Sequence, residues 1–343
     1  MRAPERHHNA RAVATVRRAH IGRAGALLAL VATVCSLVAA TATAQEYPLK
    51  PVRSIVGFPP GGAVDFNARL IAQKLSELWG QQVVIENKGG AGSTIGAAAA
   101  AAAPADGYTY LVVSPAHTIN ATMYKKLPFD TETAFTAVTQ LVSSPLAVYL
   151  NPNVPANSVK ELIALARDKP GKLNFGFGGN GTSVHLASVL FNILAGTDIA
   201  YIPFQGGGPT LTATLSGTVD IMIGGIEYMN THARAGKLKA IAVTTPRRAR
   251  AFADVPTVTE SGLPGYEVET WYGIYVPAKT PANIVRKLNQ DIVKVLQLPD
   301  LQENYAKQGF SVVGSTPEQF AAFTRAEIDK WRKVVTAANL TAD

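Results

Sequence analysis

The chain of 343 residues contains 32 Lys and Arg against 24 Asp and Glu, which gives a net charge of +8. Six of the Arg and one Glu lie in residues 1–44, so the remaining 299 residues have a net charge of only +3, which does not indicate nucleic-acid binding. The single cysteine, Cys35, lies in the same segment, which excludes disulfide bonds and thiol catalysis from the rest of the chain. A chain of this length buries a large core and usually forms about two domains.

Residues 1–44 have the pattern of an export signal. A basic region leads into an apolar run, residues 24–40, and Ala42-Thr43-Ala44 forms a small-x-small cleavage sequence. The apolar run is shorter than the roughly 20 residues that a membrane span requires. We therefore predict a signal peptide that is removed near Ala44.

After residue 44, short β-like runs alternate with helical stretches, a pattern that predicts an α/β architecture with mainly parallel sheets. The pattern pauses at a linker-like sequence, residues 151–155, and then restarts. The predicted strands are 54–56, 83–85, 110–113, 146–150, 173–177, 199–203, 219–223, 238–243, 271–276 and 311–313. The predicted helices are 66–79, 95–103, 158–167, 183–194, 209–215, 281–296 and 317–336, the first with Leu70, Leu75 and Leu78 facing inward.

Four glycine-rich loops each separate a predicted strand from a predicted helix. In open α/β sheets, ligands bind outside the carboxyl ends of the strands, where the next helix begins. The first turn of a helix has N–H groups without intrahelical partners and a partly positive end, so a carboxylate can bind there without Lys or Arg. With two loops in each half of the chain, the sequence predicts anion capture between two lobes. The loops are residues 61–62, 89–92, 178–181 and 205–208.

One of these loops also fits the dinucleotide-binding motif GxGxxG, at residues 176–181, with Asp198 following at a suitable distance. In a dinucleotide-binding fold that acid ends the next strand, whereas Asp198 precedes the predicted strand 199–203. We therefore interpret the match as chance and predict no cofactor. The three histidines after residue 44 lack HxxH or HExxH spacing, so we predict no metal site.

Some polar side chains near the loops have two interpretations. Ser183 and His185 would suit an exported Ser/His hydrolase, although i and i+2 side chains diverge on a helix and no GxSxG sequence surrounds the serine. Helix capping with ligand hydrogen bonding is the other interpretation. Asp65 either caps its own helix or contacts a ligand, and His117 either packs in the core or contacts a ligand.

Sequence motifs spread over nearly all of the chain after residue 44, in the same order, resemble those of the Bug family. Its members are the periplasmic solute-binding proteins of tripartite tricarboxylate transporters. The motifs are FPPGGAVD at 58–65, VIENKGGAG at 84–92, ADGYT at 105–109, YKKLPFD at 124–130, GTSVHL at 181–186, FQGGGP at 204–209, GTVD at 217–220 and WYG at 271–273.

The resemblance implies an α/β periplasmic-binding-protein (Venus flytrap) fold, with two lobes joined by two crossing strands. These strands are expected near residues 146–150 and 272–276. The first lobe would comprise residues 45–146 plus 272–343, and the second would comprise residues 147–271.

The resemblance also implies where a ligand binds. A small carboxylate, either a dicarboxylate or an aromatic carboxylate, would lie between the lobes and be held by loop amides, hydroxyls and waters rather than by arginine. The implied ligand-binding residues are Phe58, Gly61, Gly62, Asp65, Ser114, His117, Gly181, Thr182, Ser183, Gly206, Gly207 and Gly208.

These implications define a function without catalysis. The chain is expected to be a periplasmic, monomeric binding protein that delivers its ligand to the membrane permease subunits of a tripartite tricarboxylate transporter. Presentation of the ligand to a sensor is an alternative within the same class. The exported hydrolase is the alternative from a different class.

Overall fold

The computed structural model describes residues 47–249 and 252–342. The predicted signal peptide and its cleavage site therefore lie outside the described residues. All the strands and helices given below belong to one compact unit that begins at Lys50.

The strands of the described residues form one hydrogen-bonded path in the order β2-β1-β3-β9-β4-β7-β5-β6, with β8 and β10 also paired to β4. The strands are β1 (Val52–Val56), β2 (Val83–Asn87), β3 (Thr109–Val113), β4 (Phe135–Leu150), β5 (Asn174–Phe177), β6 (Ala200–Pro203), β7 (Ile221–Gly225), β8 (Lys239–Val243), β9 (Glu269–Pro277) and β10 (Ser311–Val312).

The path consists of two sheets that share β4. The first sheet comprises β1, β2, β3, β9, β10 and residues 135–145 of β4, and the second comprises β5 to β8 and residues 146–150 of β4. Pairing is parallel around β1 and β5 but antiparallel at every contact with β4 and β9. The prediction of mainly parallel sheets is therefore wrong at the centre, where the chain crosses from one sheet to the other.

Helices cover the sheets, and three of them, α3, α7 and α9, were not predicted. Each of these three is only eight or nine residues long, too short for a periodic apolar pattern to stand out. The helices are α1 (Ala63–Trp79), α2 (Thr94–Ala101), α3 (Ala116–Met123), α4 (Val159–Asp168), α5 (Ser183–Ala195), α6 (Gly207–Ser216), α7 (Ile226–Arg234), α8 (Ala282–Leu296), α9 (Pro299–Lys307) and α10 (Pro317–Ala337).

Among the described residues, no helix combines the length and the apolar character that crossing a membrane would require.

Helix α1 follows directly from β1 and sets the position of the first glycine loop. It buries Ala68, Ile71 and Leu75, which recur at helical spacing, while Leu78 is 36% exposed. The inward placement predicted for Leu78 is therefore wrong. The apolar stripe fixes the helix against its sheet, so the loop before α1 is held at the carboxyl end of β1.

Strand β4 is 16 residues long and changes partners along its length. Pro145 is the last residue that pairs with β9, and Leu146 is the first that pairs with β7. The chain returns to the first sheet where Val268 donates a backbone hydrogen bond to Thr244, and Thr244 in turn donates one to Leu146. Only residues 146–150 of β4 were predicted as a strand.

The C-terminal helix α10 does not belong to one sheet alone. Phe320, near its start, packs with Trp271 and Tyr275 in the core of the first sheet. Trp331, near its end, belongs to the same cluster as Leu146 and the other core residues of the second sheet. The predicted lobe boundaries, which assign residues 272–343 wholly to the first lobe, stay a prediction.

The contact between Gly273 and Phe320 offers a test of this packing. A Cβ on Gly273 would lie 2.2 Å from Cζ of Phe320, a fully buried ring that also contacts Trp271 and Phe323. We expect Gly273→Ala to reduce the free energy of unfolding by about 1–3 kcal/mol, because the packed ring has no space to move.

Chemical denaturation measures this change. Gly208→Ala is the matched control, since a Cβ there has no atom within 4 Å. Equal unfolding midpoints for Gly273→Ala and the wild type would show that the core near β9 is more loosely packed than described.

Candidate functional site

A cavity of about 610 Å³ lies at the seam of the two sheets. The first sheet contributes Gly61 and Ala63, at the start of α1, together with Thr270 and Tyr272 of β9. The second sheet contributes the starts of α5, α6 and α7 and the ends of β5 and β7. From these elements come Phe177, Gly178, Thr182, Ser183, Val184, Gly207, Gly208, Thr210, Leu211, Met222, Ile223, Gly224, Gly225 and Met229, and Leu146 of β4 completes the wall.

Four helix N-termini meet at this cavity. The N-cap residues of α1, α5, α6 and α7 are Gly62, Thr182, Gly206 and Gly225, and only Thr182 caps its helix with a side chain. First-turn N–H groups and the helix macrodipole make each of these ends favourable for an anion. The cavity is therefore bordered by helix N-termini from both sheets.

The side chains that line the cavity are uncharged. Among the described lining residues there is no Lys, Arg, His, Asp or Glu. A bound carboxylate would be stabilised by backbone dipoles and hydroxyls, without the cost of burying a positively charged side chain beside it. This is the chemical environment that the glycine loops predicted.

Asp65 holds the first glycine loop from behind. Its Oδ2 accepts hydrogen bonds from Gly61 N (2.9 Å) and Arg69 Nε (2.8 Å), and its Oδ1 accepts one from Asn87 Nδ2 (2.9 Å). Asn87 Nδ2 also donates to the carbonyl oxygen of Phe58 (3.0 Å). Burial acts to raise the pKa of Asp65, but the bonds from Arg69, Gly61 and Asn87 outweigh it and hold the pKa below its ordinary value.

The start of α5 is fixed by its own side chains. Thr182 Oγ1 donates to Gly179 O (2.7 Å) and accepts from His185 N (3.4 Å), which caps the helix. Ser183 Oγ lies 3.3 Å from Thr270 Oγ1 of β9. Since α5 belongs to the second sheet and β9 to the first, this hydroxyl pair spans the seam.

His185 positions this loop and does not activate Ser183. Gly181 N donates to His185 Nδ1 (3.2 Å), so the neutral ring carries its proton on Nε2. The ring stacks on Phe177 at 4.4 Å, and burial lowers its pKa to about 4. The Ser183 hydroxyl pairs with Thr270 instead, so the nucleophile–base contact that a hydrolase needs is not formed.

The loop before α6 approaches the loop after β5 with no side chain between them. A Cβ on Gly178 would lie 2.7 Å from the carbonyl carbon of Gly206 and 2.8 Å from the nitrogen of Gly207. Gly206 adopts a φ of +108°, a backbone conformation that favours glycine. These glycines allow α5 and α6 to begin side by side.

Of the residues expected to bind ligand, five line the cavity: Gly61, Thr182, Ser183, Gly207 and Gly208. Gly62, Gly181 and Gly206 adjoin the lining in sequence, and Phe58 and Asp65 belong to the network behind the first loop. The loop at residues 89–92 does not line the cavity, since Gly92 O accepts a hydrogen bond from Asn120 and Gly89 lies against Pro59. The complete set of ligand contacts stays a prediction.

The structure places His117 and Ser114 away from this cavity. His117 is buried in an aromatic cluster with Phe129, Phe135 and Tyr275, at centroid distances of 5.2–6.5 Å. Its Nε2 atom is buried with no hydrogen-bond partner, and burial lowers its pKa to about 4. The backbone carbonyl of Ser114 accepts a hydrogen bond from His117 N as α3 begins.

Two parts of the cavity were missed from the sequence. Gly224 and Gly225 precede α7 and carry the same strand-glycine-helix pattern as the other loops, but the helix that follows was not predicted. Thr270 reaches the cavity through the pairing of β9 with β4, two strands whose paired residues lie more than a hundred positions apart in the chain. No local sequence pattern shows such a long-range contact.

A second and larger cavity, of about 760 Å³, lies beside Ser143, Glu269 and Phe310, near Arg247 and Arg248. None of the residues expected to bind ligand lines it. It therefore plays no part in the site described here.

Two α/β sheets that share a long strand and border a cavity at their seam have the architecture of a periplasmic-binding-protein fold. The chain belongs to the tripartite tricarboxylate transporter receptor family, TctC, whose family model matches residues 67–340. The resemblance to the Bug proteins is thereby confirmed.

Individual relatives agree with this assignment. The protein BugT of Bordetella pertussis is 34% identical over 300 residues, covering 87% of this chain and 92% of BugT. The structure of Rhodopseudomonas palustris Rpa4515 with adipate is 33% identical, with a TM-score of 0.76, and covers 86% of this chain and 99% of its own. That of MatC from the same species with bound malate is 32% identical, with a TM-score of 0.73, and covers 84% of this chain and 100% of its own.

These comparisons confirm the predicted fold class. The family and its solved relatives are periplasmic solute-binding proteins and not enzymes, which also confirms the prediction of a non-catalytic protein.

The Asp65 network predicts the effect of Asp65→Asn. The substitution removes the charge that accepts from Gly61 and Arg69, and we expect a loss of about 1–3 kcal/mol in the free energy of unfolding at pH 7. The pKa of Asp65 is lower in the folded protein than in the unfolded chain. Its contribution to stability is therefore complete above the unfolded-state pKa, and it is lost as the pH falls through the folded-state pKa. The difference between variant and wild type should therefore shrink below about pH 4.

Urea denaturation from pH 3 to 8 measures this difference. Glu77→Gln, on the exposed face of the same helix, is the matched control and should change stability by less than about 0.5 kcal/mol. A stability gap for Asp65→Asn that stays constant down to pH 3 would contradict a depressed pKa.

The two buried histidines predict a second pH dependence. Burial lowers the pKa of both His117 and His185 from the ordinary value of 6.5 to about 4. Between pH 6.5 and pH 4, these two histidines are therefore protonated in the unfolded chain but neutral in the folded protein. Stability should be complete above pH 6.5 and decline between pH 6.5 and 4, each histidine contributing up to about 1.4 kcal/mol per pH unit.

His117→Phe tests this dependence, since it removes one titrating group and one unpaired ring nitrogen. We expect it to reduce the slope by about half while the rest of the decline persists through His185. A flat stability profile of the wild type across this range would show that the two rings are more solvated than described.

Proposed function

We propose that this protein captures a small organic carboxylate at the seam of its two sheets, in the periplasm, and delivers it to the membrane permease subunits of a tripartite tricarboxylate transporter. The observation that carries the proposal is the meeting of four helix N-termini at a cavity whose described lining residues are all uncharged. The adipate and malate bound by the solved relatives support a carboxylate as the ligand.

Ligand capture in this proposal involves two lobes, residues 45–146 plus 272–343 and residues 147–271, in a monomer released from its signal peptide near Ala44. Gly61 and Ser183 come from opposite lobes in this division, and their place in the lining of one cavity supports it. A carboxylate that accepts hydrogen bonds from both lobes stabilises the closed state over the open one, so the closed state predominates when ligand is bound.

A thermal-shift screen of the purified protein against mono-, di- and tricarboxylates, amino acids, sugars and cations tests the proposal. At a hundredfold excess over Kd, a carboxylate should add about 2.7 kcal/mol to the free energy of unfolding through mass action. Stabilisation by sugars or cations alone, with none by any carboxylate, would contradict the proposed ligand class.

Ser183→Ala locates the binding site. It removes a hydroxyl at the seam, and the affinity for the best carboxylate should fall at least about tenfold, because a hydrogen bond to a charged group contributes about 1.5–3 kcal/mol. Calorimetric titration measures the change. Ser216→Ala, at the far end of α6, is the matched control and should leave Kd unchanged.

Delivery to a permease requires a cellular test. Uptake of the ligand should stop in cells that lack this protein and return when the wild type is supplied, but not when Ser183→Ala is supplied at low ligand concentration. Uptake that continues unchanged without the protein would contradict the transport role and leave ligand binding intact.

A further inference from the structure

The cavity has an apolar wall in the second sheet. Leu146, Phe177, Met222, Ile223 and Met229 are each at most 4% exposed, and all five line the cavity. Met222 and Met229 belong to one hydrophobic cluster, and Leu211 of α6 packs against it. This wall carries no hydroxyl, amide or charged side chain that a polar group of a ligand could contact.

The hydroxyl groups around the cavity are not distributed evenly. Thr182 Oγ1 donates to Gly179 O, and Thr210 Oγ1 donates to Gly206 O (2.9 Å), so both donors are used within the loops that cap α5 and α6. Ser183 and Thr270 contact each other, so one hydrogen serves their mutual bond and the other can be donated to a ligand. This pair can serve one carboxylate group, and the remaining hydroxyl of the lining, that of Tyr272, is on the same strand as Thr270.

The two methionines converge on a glycine. A Cβ on Gly224 would lie 3.3 Å from the Cε methyl of Met222 and 3.4 Å from that of Met229. Methionine is unbranched and adapts its shape to an apolar partner. The wall near Gly224 can therefore adjust to ligand bodies of different length or width.

On the basis of the function proposed above, we infer that the preferred ligand is a monocarboxylate with an apolar body, either an aliphatic chain or an aromatic ring. Its carboxylate binds at the Ser183–Thr270 pair and the helix N-termini, and its body contacts Leu211, Met222 and Met229. A second carboxylate or a hydroxyl directed at this wall loses its hydration without gaining a side-chain partner, which is unfavourable. Hydroxylated di- and tricarboxylates are therefore weaker ligands of this chain.

A homologous series of ligands tests the inference by calorimetry. From butanoate to octanoate, each added CH₂ should tighten binding about fourfold until the cavity is filled, since burial of a CH₂ contributes about 0.8 kcal/mol. Hexanoate should bind at least tenfold more tightly than adipate, which has the same number of carbons, and more tightly than malate. Benzoate should also bind more tightly than malate.

The outcomes separate this inference from the function on which it rests. Adipate or malate binding as tightly as hexanoate would overturn the apolar preference and leave carboxylate capture standing. Failure of every carboxylate to bind would overturn both. A series without any gain per CH₂ would likewise overturn the contact with the apolar wall.

Met229→Gln tests the wall directly, because glutamine has a similar length but places an amide in it. We expect hexanoate affinity to fall about tenfold and the gain per CH₂ to decrease, whereas Met229→Leu, the matched control, should stay within about threefold of the wild type. Unchanged hexanoate affinity in a folded Met229→Gln protein would overturn the inference.

Gly224→Ala provides a second test that does not place a polar group in the core. The added methyl would lie 3.3 Å and 3.4 Å from the flexible ends of Met222 and Met229, and we expect it to narrow the space beside them. The chain length that binds most tightly should then become shorter by about one CH₂, while the affinity for butanoate changes little. An unchanged optimum would show that the methionine methyl groups do not limit the cavity.

Discussion

The site depends on close approach between backbones at glycine. Gly178 comes so near to Gly206 and Gly207 that a single methyl group would separate the starts of α5 and α6. In the first sheet, a Cβ on Gly96 would lie 2.8 Å from the Cα of Gly57, so α2 also packs on its loop only because neither residue has a side chain. Side chains of any size at these positions would move the helix N-termini apart and weaken the field that they jointly create.

Charged residues stabilise the site without entering it. Asp65, Arg69 and Asn87 form a network behind the first glycine loop. His185 supports the loop at residues 178–181 as a neutral acceptor of the hydrogen bond from Gly181 N. The first loop is therefore held by Asp65, which does not itself line the cavity. Such an arrangement fixes the loop backbone in advance, and it avoids the desolvation of a buried cation.

Local sequence patterns predicted the backbone parts of the site, and long-range pairing determined the rest. The glycine loops before α1, α5 and α6 were readable because glycine follows an apolar run and precedes a helical one. Only the part of β4 after Pro145 was predicted as a strand, because proline is uncommon inside a central strand. In the structure, Pro145 lies where β4 changes its pairing partner from β9 to β7. Thr270, Met222 and Met229 have ordinary surroundings in sequence, and only the fold brings them to one cavity.

The C-terminal helix limits how the two sheets can move. Glu327 Oε2 accepts hydrogen bonds from Trp271 Nε1 (3.1 Å) and from Trp331 Nε1 (3.0 Å). Trp271 packs in the core of the first sheet and Trp331 in the core of the second, so one buried carboxylate joins both cores through α10. Opening of the cavity with this junction intact leaves the change of partners at Pro145 and the start of β9 as the points that can bend. The Ser183–Thr270 contact lies beside the second of these points, at the start of β9.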